Sequence, residues 1–295
     1  MLDLAVAYRE ETFERMRGPL AERDVAVHHV PAENRAISLS DPPWRSDEFD
    51  AGFVYPSRAM EGGVVDALLD VPWVNDREAV LTSRNKAGVI AALERAGVPV
   101  PETVLVSNPA DESDLLAAFD RFDPPVVVKP NSTTRGVGVA KVGDADSYLG
   151  VTDYLDLVHD YRATGDKSFL VQEYVPEATD YRAMVVDGEC VGGVERRLPD
   201  SATDGARPDR WKHNVHRGAV ATGVDLPANL RTLAERTAEA LDIDYLGVDI
   251  LVADDRAVVN ETNARPTIDA ETKYDAGFYD RLADLIRRTA ARDGD

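Results

Sequence analysis

The chain has 295 residues, 44% of them hydrophobic, and a formal net charge of -21. That apolar content supplies two or three compact units with real cores, so the chain is globular and not disordered. The acidic side chains are spread along its length with no long single-sign block, and phosphate neutralisation needs clustered Lys and Arg, so a nucleic-acid partner is excluded as an expectation. Of the 33 basic residues only six are lysine and 27 are arginine. An acid excess of this kind keeps a protein soluble at the cost of self-repulsion, and it predicts a halophilic, salt-adapted cytoplasm; an acidic face for a basic partner is the rival reading.

In chain order, the opening MLDLAVAYREETFER meets acids after a few apolar residues, too few for a signal peptide or a membrane span. Strand-like runs at 4–8, 25–30 and 51–55, with an amphipathic stretch at 10–20, predict a βαβ start and a small parallel-sheet domain over 1–83. Ser83 precedes a helix carrying Val89, Ile90 and Leu93 on one face, ended by Gly97, Pro99 and Pro101. A strand at 103–106 follows, then a helix opened by Asn108-Pro109 with Leu115, Leu116 and Phe119, and a buried strand at 126–129. A return strand at 137–142, a helix with Leu149, Leu155 and Val158, and a strand at 169–175 complete an αββαβ unit, over 84–172, that reads as a lid.

Asp187-Gly188 between alternating runs at 181–186 and 190–196 is the strongest hairpin signal. Cys190, the lone cysteine, allows no intrachain disulfide and fits a reducing cytosol. Residues 198–210 read as a polar surface loop. Amphipathic helices at 228–241 and 280–292 cover a final sheet in a C-terminal unit, 173–295.

Strands at 245–251 and 257–262 flank an acidic turn. Glu261 and Asn263 are two apart and share a face, and the hairpin folds Asp249 back toward them. Such a sparse set of hard oxygens suits Mg²⁺ (or Mn²⁺) shared with a nucleotide better than a closed cage. Read alone, Asp249 is a strand end and Glu261 a solvent-facing residue, and the metal reading needs further motifs beside it. Lys129 ends a buried strand at the mouth of a loop containing Ser132, Gly136 and Gly138, whose hydroxyls and glycine-permitted N–H groups can wrap phosphates; a plain hairpin turn is the other reading, and no Walker sequence is present. Lys86 begins a helix, where a cation opposes the macrodipole and calls for a nearby anion, or is a snorkelling surface lysine. Gln172, Glu173, Tyr174 and Val175 stand where exposed backbone can meet an adenine edge. Asn214 and Arg217 set an amide and a forked cation beside a glycine, suited to a transferring phosphoryl group. His213 and His216 lack a third ligand for a metal.

In this order the segments RNKAGVIAALERAGVPVPET, VVVKPNSTTRGVGVAKV, FLVQEYVPEATDYRAMVVDGECVGGVERR, NVHRGA and LGVDILVADDRAVVNETNARP resemble the ATP-grasp superfamily, and within it the RimK-type ligases. The resemblance covers residues 84–266 and implies an ATP-grasp fold, mixed α/β and α+β, behind a parallel-sheet pre-ATP-grasp domain, with a lid and a C-terminal metal-binding domain. It implies that Lys86 and Lys129 contact ATP phosphates, Gly136 and Gly138 cover them, and residues 172–175 form the adenine hinge. Asp180 becomes a ribose or hinge-side contact. Arg182, Arg196 and Arg197 gather around substrate and phosphate, and Asn214 and Arg217 hold the transferring phosphoryl and acyl groups. Ala219, Arg265 and Pro266-Thr267 stand where that family favours glycines and a small residue, and an arginine beside the metal site suits an acidic substrate.

The resemblance predicts ATP-dependent joining of a small-molecule or peptide carboxylate to an amino-acid amine such as glutamate, by way of an acyl-phosphate, in the cytoplasm, with no membrane partner and homo-oligomerisation left open. A phosphotransferase on the same fold and a nucleotide-binding regulatory protein without chemistry are the alternatives; the metal trio and both lysines argue against the second.

Overall fold

The computed structural model describes residues 1–7, 10–133, 137–158, 166–198, 218–254 and 256–294. The first unit forms because short apolar runs alternate with an amphipathic helix. Strands β1 (Leu2–Val6), β2 (Val25–His29) and β3 (Ala51–Phe53) pair in parallel in the order β2-β1-β3, and helix α1 (Glu10–Ala21) makes the first crossover. Two helices the pattern did not announce follow, α2 (Ala59–Leu69) and α3 (Arg77–Arg84). Gly62, Gly63, Val64 and Val65 give α2 a weak intrinsic preference, and tertiary packing of Val65 and Leu69 supplies what propensity does not. In α3, Asp76 caps by accepting from the Ala79 N–H at 2.8 Å.

After α4 (Lys86–Arg95), strands β4 (Thr103–Val106), β5 (Val126–Pro130), β6 (Ala140–Val142) and β7 (Phe169–Glu173) form an antiparallel sheet ordered β4-β7-β5-β6. Helices α5 (Glu112–Phe119) and α6 (Ala145–Val158) lie on one face of it. The return strand begins three residues later than expected, since Val137 and Gly138 are spent on a turn with Gly138 at φ +75°. Likewise α5 starts at Glu112, because Asn108 and Pro109 belong to the bend before it.

The third sheet, also antiparallel, runs β10-β9-β8-β11-β12, with β8 (Thr179–Val186), β9 (Glu189–Arg197), β10 (Val220–Val224), β11 (Tyr245–Ala253) and β12 (Arg256–Asn263). The β8–β9 turn has Asp187 at φ +55° and Gly188 at φ +73°, the two positive values a two-residue hairpin needs. Helices α7 (Ala228–Leu241) and α8 (Phe278–Ala290) cover its back.

Apolar burial divides into two clusters. One joins the parallel sheet to the five-stranded sheet through residues such as Phe53, Leu93, Tyr245 and Leu282; the other lies between the four-stranded sheet and its helices, around Phe119, Val128, Tyr148 and Phe169. No helix is long and apolar enough to cross a membrane among the described residues.

Candidate functional site

Register on the five-stranded sheet builds the site. Strands β11 and β12 pair with Ala253 opposite Arg256, and a straight count from there would set Asn260 across from Asp249. A β-bulge intervenes: Ile250 pairs with Val259, Asn260 is left over, and Asp249 pairs with Glu261 and Gly247 with Asn263. The bulge therefore puts Asp249, Glu261 and Asn263 on one face. On the other side of β11, Asp249 faces Arg182 and Leu251 faces Asp180, and Asp180 in turn faces Arg196 on β9. By the period of two, Asp180, Arg182 and Arg196 belong to that same face.

These charges form a ladder. Arg182 donates from Nε to Asp249 Oδ1 at 2.6 Å and from Nη2 to Oδ2 at 2.8 Å, a bidentate fork. Arg196 Nη2 reaches Asp249 Oδ2 at 3.0 Å and Asp180 Oδ1 at 2.6 Å. Burial works to raise the Asp249 carboxyl, but Arg182 and Arg196 outweigh it and hold it down at about 2. Burial pushes Asp180 up to about 6 against the pull of Arg196, with the charge of Asp249 adding to the rise.

Two lysines approach from the other units. Lys86, first residue of α4 and nearly buried, finds the anion its position calls for: its Nζ lies 3.3 Å from Glu261 Oε1 and donates to the Thr133 carbonyl. The start of α4 is tied to the end of β5, as Ala87 N–H donates to Asn131 Oδ1 at 2.8 Å and Asn131 Nδ2 to Asn85 Oδ1 at 3.0 Å. Lys129 sits on the face of β5 opposite the apolar cluster of Val126 and Val128, with Leu170 as its ladder partner and Val127 opposite Gln172. Among the described residues its Nζ has only long contacts to Asn260, 3.4 Å to the carbonyl and 3.5 Å to Oδ1, and burial lowers it to about 8, with Glu261 pulling back and Lys86 pushing further down. Sequence reasoning passed over Asn260, the bulge residue; an asparagine interrupting an apolar strand just before Glu261 was the signal.

Other expected residues fall as follows. Ser132 is buried beside this junction. Gln172 is buried and donates to Thr103 Oγ1 at 2.8 Å. Glu173 turns its carboxylate to Arg256 at 2.5 Å and 2.9 Å and to the Glu102 N–H at 2.7 Å, and its own N–H donates to the Glu102 carbonyl at 3.0 Å, so neither its side chain nor its N–H faces a base. Lys141 Nζ stands 4.3 Å from the Tyr174 ring centroid, and Val175 is half-buried. Arg197 is not brought to the ladder: one residue past Arg196, its side chain leaves on the opposite face, pairs with Glu195 and is 76% exposed. Gly136, Asn214 and Arg217 lie outside the described residues.

The donors fit a hard divalent cation in kind, being two carboxylates and a carboxamide oxygen with no thiol or imidazole. Among the described residues no group of three or more His, Cys, Asp and Glu could hold a metal ion. Both oxygens of Asp249 face guanidiniums, which supply the positive charge there, and Asn263 Oδ1 accepts from the Arg265 N–H at 2.9 Å. A cation at this place competes with Arg182 and Arg196 for the carboxylate.

A helix-backed antiparallel sheet carrying one lysine, set against a second antiparallel sheet carrying acids and arginines, defines the ATP-grasp fold. Solved structures share it along nearly the whole chain: D-alanine--D-alanine ligase from Bacillus anthracis complexed with ATP has a TM-score of 0.69 at 17% identity, covering 99% of this chain and 98% of that one. A RimK domain ATP-grasp protein from Sphaerobacter thermophilus has a TM-score of 0.64 at 23% identity, covering 98% of each. The family model for the RimK-like ATP-grasp domain matches residues 83–280. A probable alpha-L-glutamate ligase of Klebsiella pneumoniae is 32% identical over 220 residues, 74% of this chain and 68% of that protein. The ribosomal protein bS6--L-glutamate ligase of Shigella boydii is 32% identical over 202 residues, 68% of this chain and 62% of that protein. The chain belongs to the RimK-like ATP-grasp family, and with its relatives it is classed as an ATP-dependent carbon–nitrogen ligase.

Proposed function

We propose that the protein joins a carboxylate to the amine of an amino acid, glutamate or one like it, through an acyl-phosphate, releasing ADP and phosphate. The observation that carries the reading is the convergence of Lys86 and Lys129 on Glu261 and Asn260, next to Asp249 and Asn263. Cations aimed at one place beside hard oxygen donors suit a nucleotide triphosphate and its Mg²⁺. The names of the glutamate-ligase relatives suggest the amine. In this reading Asp249, Glu261 and Asn263 hold the metal, which neutralises phosphate charge when bound. Lys86 and Lys129 orient the phosphates under the loop of Ser132, Gly136 and Gly138, and residues 172–175 form the hinge for the base. Arg182 and Arg196 are the cations that trade a carboxylate for phosphate or substrate, and Asn214 and Arg217 hold the transferring group. The three units are 1–83, 84–172 and 173–295, in a salt-adapted cytoplasm.

A carboxylate is a poor acyl donor, and phosphorylation turns one of its oxygens into a leaving group. Oxygen-18 placed in the substrate carboxylate must therefore appear in released phosphate, and hydroxylamine must trap a hydroxamate only when ATP is present. Label in AMP, with pyrophosphate as co-product, would mean adenylation and would defeat the proposal.

A further inference from the structure

We infer that Asn75 and Ser83 are positioning residues for the metal-ligand strand, an inference that rests on the reading of Asp249, Glu261 and Asn263 as cation ligands. The ladder between β11 and β12 ends with the pair Gly247 and Asn263, so a ligand sits on the last rung of an edge strand. Last rungs fray unless the next residue is tied down. Ala264, that next residue, has both backbone groups taken by side chains from the first 83 residues: its N–H donates to Ser83 Oγ at 3.0 Å, and its carbonyl accepts from Asn75 Nδ2 at 2.6 Å. Ser83 Oγ also meets Thr262 Oγ1 at 3.2 Å, so one hydroxyl grips the residue on each side of Asn263.

Asn75 reaches the other strand as well. The same Nδ2 donates to the Tyr245 carbonyl at 2.6 Å, and the Tyr245 N–H faces Asn75 Oδ1 at 3.4 Å. One amide thus bridges the first residue of β11 and the residue just past β12, closing the hairpin at the end away from its turn. Its own backbone is fixed to the parallel sheet, since the Tyr55 N–H donates to the Asn75 carbonyl at 2.8 Å. Asn75, Ser83, Thr262, Ala264 and Tyr245 are all buried, where such bonds are strong and an orphaned carbonyl is costly. Space is short there too: a Cβ on Gly247 would stand 3.2 Å from Pro266 Cβ. The segment after Asn263 is therefore pressed onto β11, and the clamp sets where the ligand points.

The test uses the full chain and the electron paramagnetic resonance signal of free Mn²⁺, titrated in the presence of a non-hydrolysable ATP analogue. Residues that orient metal ligands change affinity about tenfold to a hundredfold when removed, and Ser83→Ala and Asn75→Ala should each raise the Mn²⁺ Kd by that much. Val65→Ala opens a cavity in the same apolar cluster without touching the clamp; it should lower the melting temperature and leave the Mn²⁺ Kd alone. If Asn75→Ala does not fold, Ser83→Ala decides the matter. A wild-type Mn²⁺ Kd in Ser83→Ala, with binding lost in Asp249→Asn, would overturn the clamp and spare the metal site. Wild-type binding in Asp249→Asn would overturn both.

Discussion

The dehydrated ammonium of Lys129 should make nucleotide binding take up protons. Burial lowers this lysine from 10.5 to about 8, so the nucleotide-free protein holds it neutral in about a tenth of molecules at pH 7, half at pH 8 and nine tenths at pH 9. Phosphates placed beside it restore the charged form. Binding of a non-hydrolysable ATP analogue should then take up about 0.1, 0.5 and 0.9 proton at those three values. Calorimetry in buffers of different ionisation enthalpy measures this directly, with Lys129→Met as the reference that removes the contributions of other groups. The sign for stability runs the other way from the usual buried acid. Because the folded pKa lies below the unfolded one, the unfolded chain binds more protons between about 8 and 10.5, and the nucleotide-free protein gains stability as pH rises through that window. Lys129→Met should melt no lower than wild type at pH 7, since the desolvation cost it removes outweighs the attraction of Glu261 and the contacts of 3.4 Å and 3.5 Å that it gives up. Equal proton uptake by wild type and Lys129→Met, or uptake that declines from pH 7 to 9, would refute the reasoning.

Glu261→Gln should abolish ADP release with circular dichroism unchanged, whereas Asp249→Asn, which strips two guanidiniums of their shared partner, should also cost on the order of 3 kcal/mol in chemical denaturation; full turnover in Glu261→Gln would remove it from the site. The acid excess predicts a melting temperature that climbs with KCl toward molar salt, where the Debye length is about 3 Å, and a flat or falling curve counts against salt adaptation. Gly188→Ala, at φ +73° in open space, should lower stability by about 1 kcal/mol through backbone strain alone, with ADP release unaltered; a larger loss would mean that the turn carries more than its geometry.

Much of the scaffold was legible because local pattern and tertiary demand agree. β4 and α7 occupy the residues their periodicity marks, and Asp187-Gly188 turns as its chemistry dictates. Local pattern misled where distant packing decides. Nothing in AMEGGVVDALL announces a helix until Val65 and Leu69 have a core to enter, and VATGV becomes β10 only because β9 offers an edge. Within the site, residue types were readable and register was not. Two adjacent arginines cannot both face one side of a strand, and pairing with Asp180 selects Arg196 over Arg197. The trio was visible as three oxygen donors, but the bulge at Asn260 that aligns them leaves no trace in a two-residue spacing, and the amide of Asn75 lies 170 residues from Tyr245, whose carbonyl it holds.

The charge ladder also bears on how an anionic nucleotide finds this protein at all. A chain of net charge -21 repels such a ligand at long range. Close in, the count among the described residues reverses: the cluster sets four cations, Lys86, Lys129, Arg182 and Arg196, against three carboxylates, Asp180, Asp249 and Glu261, a local excess of one positive charge. The site is a small attractive island inside a repulsive field. Enzymes that steer their ligands lose association rate as salt is added; here added salt screens the distant acids before it reaches the buried ladder, so the association rate constant for ATP should rise with ionic strength.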